Sequence, residues 1–194
     1  MSDKNQLRRT LREKRRHLTV EQQGVAAKGL INQLATVEQF VSGERVALYL
    51  TNDGEISPEE ACNWLWAHER QVFLPIVIQG DGNRLLFAPY ELTTTFEYNR
   101  FGIPEPQVDA GQLIEASLLD LVLLPLVGFD DAGNRIGMGG GFYDRTFEFV
   151  REQGLSKPAM IGLSHEVQKV RSIDSERWDI PLSMVVTDQK VYRF

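Results

Sequence analysis

Two rhythms divide the chain. Through the first forty residues, apolar side chains recur every three or four positions: Leu7, Leu11 and Leu18, then Ala27, Leu30, Ile31 and Leu34. That spacing lines one face of a helix, so two amphipathic helices are expected. Ser2-Asp3 supplies a cap for the first, and Thr19-Val20-Glu21-Gln22 has the form of a capping box opening the second. From Arg45 onward the pattern changes to short apolar runs bounded by turn formers. Arg45 to Leu50, Val72 to Val77, Leu121 to Val127, Ala159 to Leu163 and Met184 to Thr187 read as strands, with Lys190 to Phe194 as an added edge. Gly80-Asp81-Gly82-Asn83 turns the second run back into Leu85-Leu86-Phe87-Ala88, a hairpin. Ser57-Pro58-Glu59-Glu60 reads as a second capping box, with proline at the first helical position. Phe101 to Pro106 has no period, and its prolines two apart predict an extended connector. The sum is one domain over residues 1–194. Helices in residues 1–40 pack as an arm on a three-layer α/β body, 45–194, whose central sheet is largely parallel and carries a β-hairpin insertion.

The most informative stretch runs from Leu119 to Phe147. A buried strand, Leu121 to Val127, leads into the turn Asp130-Asp131-Ala132-Gly133-Asn134 and then into Arg135-Ile136-Gly137-Met138-Gly139-Gly140-Gly141. A helical pattern starts at Phe142. A basic, glycine-dense loop ahead of a helix offers backbone N–H groups and the positive end of a helix dipole to an anion. Neither familiar phosphate motif fits. A P-loop needs Lys-Ser/Thr after its last glycine, where Phe142-Tyr143 stand, and a Rossmann fingerprint needs glycine where Phe142 stands. The plain alternative is a turn that binds nothing; Arg135, Asp144 and Arg145 around it favour an anionic ligand.

Charge narrows the classes. The chain of 194 residues carries a net −6, yet residues 4–16 hold seven basic side chains against Glu13 alone. The remainder, 14 basic against 26 acidic residues, would repel a polyanion, so a nucleic-acid partner is not expected. One cysteine, Cys62, forbids an internal disulfide and suits a reducing compartment. No apolar run reaches the ~18–20 residues of a membrane span, and the polar N-terminus does not resemble a signal peptide. A cytoplasmic protein without membrane contact is expected, working as a monomer. Three histidines and one cysteine are too few and too scattered for a zinc site. His165 is expected at the surface or hydrogen-bonded. Lys4 and Arg8 lie four apart, on one helical face, and the other five basic residues of the arm are expected to be solvated.

Pro125, Gly128-Phe129-Asp130, Gly133, Arg135-Ile136-Gly137, Gly139 and Gly141-Phe142-Tyr143-Asp144-Arg145 together resemble the signature of the 5-formyltetrahydrofolate cyclo-ligases. The resemblance extends from Lys4 to Thr187. It implies a Rossmann-like α/β/α fold and ATP-dependent closure of 5-formyltetrahydrofolate to 5,10-methenyltetrahydrofolate, with release of ADP and phosphate. In that chemistry the formyl oxygen receives the γ-phosphoryl group and leaves as phosphate when the bridging amine of the folate attacks. The resemblance places ATP on Lys4, Arg8, Arg135, Ile136, Gly137, Met138, Gly139, Gly140, Gly141, Phe142 and Tyr143. Folate, polyglutamylated forms included, falls on Leu50, Glu55, Phe142 and Tyr143, and Mg²⁺ on Asp144 and Asp179. Arg135, Tyr143 and Asp144 are the catalytic candidates. The loop by itself leaves open a non-catalytic module for nucleotides or sugar phosphates.

Overall fold

The computed structural model describes residues 3–78, 83–98, 102 and 104–194. Three helices open the chain: α1 (Asp3–Arg16), α2 (Val20–Leu34) and α3 (Glu38–Ser42). Strand β1 (Arg45–Ala47), helix α4 (Glu59–Ala67) and strands β2 (Gln71–Val77), β3 (Leu85–Pro89), β4 (Phe96–Tyr98) and β5 (Pro104–Pro106) follow. Then come β6 (Leu121–Pro125), β7 (Gly128–Phe129), β8 (Arg135–Ile136), α5 (Phe142–Thr146) and α6 (Glu148–Gln153). Strands β9 (Ala159–Ser164), β10 (Met184–Thr187) and β11 (Val191–Arg193) end the chain.

Seven strands form the central sheet in the order β11-β10-β9-β6-β1-β2-β3. The pairs β2–β1, β1–β6, β6–β9 and β9–β10 are parallel, while β3 and β11 close the edges antiparallel. Strands buried on both faces send alternate residues to opposite sides. Thus Leu121 and Leu123 of β6, with Val46 of β1 and Ile161 of β9, meet Leu30, Leu34, Phe40 and Leu65 from the helices on one side. Val122, Leu124, Ala47, Met160 and Val185 face the other side, under Phe147 and Val150. The expected three layers and largely parallel sheet are present.

Several local details differ from expectation. The apolar run Leu121 to Val127 is not one strand: β6 stops at Pro125, which has no N–H to continue a ladder, and β7 starts a separate hairpin with β8. The β1 ladder ends at Ala47, three residues before Leu50. Thr19 and Gln22 make both bonds of the expected capping box, at 3.2 and 2.8 Å. At α4 the expected box does not form: the Ser57 hydroxyl accepts from the Glu59 N–H at 3.2 Å, two residues on and not three, and Pro58 takes the cap position. The β2–β3 hairpin pairs Val77 with Leu85; of its expected turn, residues 80–82 lie outside the described residues, as do Ser2 and the side chain of Asp3 in the first cap. Pro104–Pro106 is a strand paired with β4 and not a bare connector, while residues 101 and 103 fall outside the description. Most relevant to function, the helix after the glycine loop is only the five residues of α5, broken from α6 at the fully buried Phe147. The expected dipole is therefore short, and the loop itself must do most of any anion binding.

Candidate active site

The chain leaves β1 for α4 and β2 on one side, and later enters β6 on the other side of β1. Connections that diverge from neighbouring parallel strands open a crevice at their carboxyl ends, where open α/β sheets bind ligands. Four segments meet there: the loop after β1, the segment from β6 to α5, helix α1, and residues 174–180.

The loop after β1 turns at Asp53 and Gly54, whose φ values of 56° and 76° are both left-handed. An Asp-Gly pair suits such a tight reversal, and the Glu55 N–H closes it on the Asn52 carbonyl at 3.0 Å. The turn is seated on α1. A Cβ at Gly54 would lie 3.1 Å from the Arg15 carbonyl, and Gln23 Nε2 donates to both the Arg15 and Gly54 carbonyls. Arg12, Arg15 and Arg16 all donate to the Asp53 carboxylate. Burial is the largest single influence on Asp53 and pushes its pKa up, yet the three guanidinium bonds together bring it down to about 2. Arg15 is fully buried. It also donates to the Asp53 carbonyl at 2.8 Å and the Leu126 carbonyl at 3.1 Å, and lies against the Met138 sulfur.

Glu55 emerges from this turn with a side chain 9% exposed, 3.6 Å from Arg15 Nη2. Its other oxygen accepts the Asn52 N–H at 3.1 Å. Burial pushes its pKa up to about 7 against the pull of Arg15. Tyr49 and Tyr143 lie close enough for the carboxylate to raise both phenols, which burial raises further still. Leu50, one face of the same loop, lines a cavity of about 350 Å³ with Tyr49, Cys62, Trp66, Tyr90 and Phe96. Burial raises the Cys62 thiol to about 12, so it is inert as a nucleophile.

On the opposite wall lies the glycine loop. Gly137, Met138 and Gly139 are exposed, and left-handed φ values at Gly139 and Gly141 (96° and 66°) curl the backbone. Its carbonyls are held from outside: Arg8 Nε donates to Gly137 O at 2.7 Å, Arg145 and Asn83 to Gly140 O at 2.7 and 3.2 Å. Arg8 thereby joins the arm to the loop, and Lys4, one turn earlier, pairs with Glu176 at 3.1 Å. Ile136 is buried against Leu11 and can offer a ligand only its backbone. Phe142 and Tyr143 are half-buried, packed beside Phe147.

Arg135 does not point at solvent. Its guanidinium donates to the Asp144 carboxylate and to the Ile180 carbonyl, and its side chain is 8% exposed. Asp144 also accepts the Ile180 N–H at 3.1 Å. Asp179 is thus brought near Asp144 along the chain, although its own carboxylate caps the turn at the Glu176 N–H. Among the described residues no group of three or more His, Cys, Asp or Glu side chains forms a ready-made metal cage. Mg²⁺ keeps several waters and needs only one or two carboxylates, a requirement that Asp144, partly exposed beside the glycine loop, fits by its chemistry.

One expectation fails here: Arg15 is not solvated but fully buried, and together with the partly exposed Arg12 and the exposed Arg16 it clamps Asp53. Arg15 lies four positions after Leu11, on the buried stripe of α1, and that spacing was the available signal. His165 is not at the surface: it is buried, with its ring against the Gly54 backbone. Burial lowers its pKa, opposed by Asp188 and the Gly54 backbone.

Sequence and structure comparisons agree with one another. A sequence model described as the 5-formyltetrahydrofolate cyclo-ligase family matches residues 1–188. The 5-formyltetrahydrofolate cyclo-ligase of Escherichia coli is 36% identical over 184 residues, covering 95% of this chain and all of that protein. That of Haemophilus influenzae is 35% identical over 179 residues, 92% of this chain and 94% of its own length. The NMR structure of Aquifex aeolicus 5,10-methenyltetrahydrofolate synthetase superposes with a TM-score of 0.81 at 27% identity, covering 98% of this chain and 92% of that one.

Proposed function

The chain belongs to the 5-formyltetrahydrofolate cyclo-ligase family, and from that premise we infer that the crevice beyond β1 and β6 is where its reaction takes place. It catalyses ATP-dependent cyclisation of 5-formyltetrahydrofolate to 5,10-methenyltetrahydrofolate. Family membership sets aside the non-catalytic phosphate-binding module that the loop alone left open. The observation that carries the residue-level reading is Arg8 on the Gly137 carbonyl, which places the basic arm against the glycine loop.

In this reading the triphosphate lies along the 136–141 backbone with Lys4 and Arg8, and Phe142 and Tyr143 border it. The folate ring lies between Leu50, Glu55 and Tyr143. The formyl oxygen is a poor leaving group until it takes the γ-phosphoryl group. The protein's contribution is in-line positioning and charge neutralisation. Asp144, with Asp179, would hold Mg²⁺, which would draw charge off the phosphates. Arg135 keeps Asp144 in place through their ion pair, and meets phosphate only by exchanging that partner. Polyglutamylated folates fall within the substrate class, and the working unit is a monomeric, cytoplasmic single domain. The acidic body outside α1 supports the reading that nucleic acid is not a partner.

The test is absorbance of the methenyl product from 5-formyltetrahydrofolate with ATP, with and without Mg²⁺. Product formation that needs both is expected. Turnover unaffected by magnesium removal would overturn the metal assignment, and no turnover with ATP and Mg²⁺ would overturn the whole reading.

A further inference from the structure

Ring closure has a proton to dispose of. The bridging amine of the folate attacks the activated formyl carbon with its lone pair, forming the new C–N bond. The C–O bond breaks, phosphate departs with its electron pair, and the N–H proton must leave the amine for the ring to become the methenyl cation. Cationic side chains cannot take it, and the phosphate that finally keeps it becomes basic enough only once the C–O bond has broken, so an acceptor beside the amine is needed while the new bond forms. The crevice contains one carboxylate placed to do so and so far assigned only to binding.

Resting on the reading above, we propose that Glu55 is the base that accepts the amine proton during ring closure, and that Arg15 is the positioning residue that holds it ready. The geometry carries this. Glu55 follows directly from the Asp53-Gly54 reversal, and one oxygen is committed to the Asn52 N–H. The other faces Arg15 at 3.6 Å, a distance that attracts without forming a tight bond. Arg15 is itself fixed on every side, by the Asp53 carboxylate and carbonyl and by the Leu126 carbonyl. The cation therefore cannot swing over to neutralise Glu55 completely. A fully paired carboxylate is a poor base, and an isolated buried one stays protonated; a base needs a pKa near the working pH. Glu55 sits between these limits, raised to about 7. The charged and titratable groups around it are Arg15 and Arg12 from α1, Asp53 in its own loop, Tyr49 from the β1 end and Tyr143 from α5. His165 faces Arg15 from beyond β9.

The pH profile of kcat/KM, read as both methenyl absorbance and ADP release in the full chain, tests it. Wild type should show a rising limb near pH 7. Glu55→Gln should remove that limb and lower kcat by roughly 100-fold or more while leaving the folate KM within about threefold, in line with the usual size of general base catalysis. Two further variants should move the limb in opposite directions. Arg15→Gln withdraws the cation that lowers the Glu55 pKa, so the limb shifts to higher pH. Asp53→Asn withdraws the anion that raises it, so the limb shifts to lower pH. Asparagine tolerates the left-handed φ of position 53, so the Asp53 variant should fold even if the Arg15 variant does not. Loosened packing alone would lower the rate at all pH values and move neither limb. A Glu55→Gln enzyme with raised KM and unchanged kcat overturns the base. Limbs that stay at the wild-type position in Asp53→Asn and in any folded Arg15→Gln overturn the positioning role. These failures differ from failure of the underlying reading, in which wild type itself would not turn over.

Discussion

At residue scale, Glu55 links stability to pH in a direction opposite to most carboxylates. Its folded pKa of about 7 exceeds the ordinary 4.5. Between those values the folded chain binds the proton that the unfolded chain has released, so stability is fully present below about pH 4.5 and falls as pH rises through 7. The loss is on the order of 3 kcal/mol, or roughly 6–12 °C in melting temperature for a chain of this size. Glu55→Gln mimics the protonated form. It should match wild type at pH 5 and melt higher at pH 8, and equal melting temperatures at both values would show that Glu55 is not buried as described. Asp53 behaves conventionally: held down to about 2, its contribution is present above about pH 4 and is lost as pH falls through 2. Glycines sort by the same kind of argument. A Cβ at Gly137 would meet nothing within 4 Å, and its φ lies outside the left-handed region. Gly137→Ala should therefore leave the unliganded protein as stable or slightly more so, by ~0.4–1 kcal/mol. Any rise in the KM for ATP would then report a phosphate lying against that backbone, and unchanged ATP kinetics would remove Gly137 from the site. At Gly128, by contrast, a Cβ would lie 2.4 Å from Leu11 Cδ1, so alanine there should destabilise the unliganded fold.

At element scale, α1 is two things in one helix. Its second half is structural: Leu11 packs against Val127, Ile136 and Ile173, and Arg15 locks the 52–55 turn. Its first half reaches outward with Lys4 and Arg8 to the 176 and 137 positions. Deleting residues 1–9 should raise the KM for ATP and lower the melting temperature only slightly, because Leu11 and Arg15 remain. A large thermal loss with normal ATP kinetics would reverse that division. The Arg135–Asp144 pair joins β8 to α5 in the same way. Removing the partly exposed Asp144 carboxylate leaves the nearly buried Arg135 cation with the Ile180 carbonyl as its remaining bond, at a cost below the ~3–5 kcal/mol of a fully buried pair. Asp144→Asn should thus lower the melting temperature as well as raise the magnesium requirement, and an effect on only one of the two would separate the bracing role from the metal role.

At the scale of the whole molecule, the crevice is assembled from α1, the loop after β1, the 135–145 segment and residues 174–180, which the sheet alone brings together. Ligand binding should stabilise the fold by linkage, about 2.7 kcal/mol at a hundredfold excess over Kd. Saturating ATP should also slow amide hydrogen exchange at residues 4–9 and 137–141 together. Protection confined to one of these would separate the arm from the loop.

How much of this was legible beforehand depends on the range of the interaction. Elements set by neighbours in the chain were readable: the α1 and α2 stripes, the Thr19 capping box, the β2–β3 hairpin and the alternating or continuous apolar runs of the sheet all express periods of 3.6 or 2 that a linear pattern preserves. The long 125–145 motif likewise marked the glycine loop, and with it the family. What the pattern could not express was which polar side chains meet across a hundred residues. Arg15 reads as one cation in a basic run until the sheet sets Asp53 and the Leu126 carbonyl around it. Arg135 reads as a phosphate ligand until α5 and the 180 region occupy its fork. Glu55 is placed at the folate only by the resemblance, and its burial appears only when Arg15 of α1 packs against it. Charge and hydrogen-bonding type are properties of a residue and are written in the sequence. Burial and partnership, which decide whether a carboxylate is a solvated anion or a base poised near neutrality, are properties of packing and arise only when distant segments close on one another.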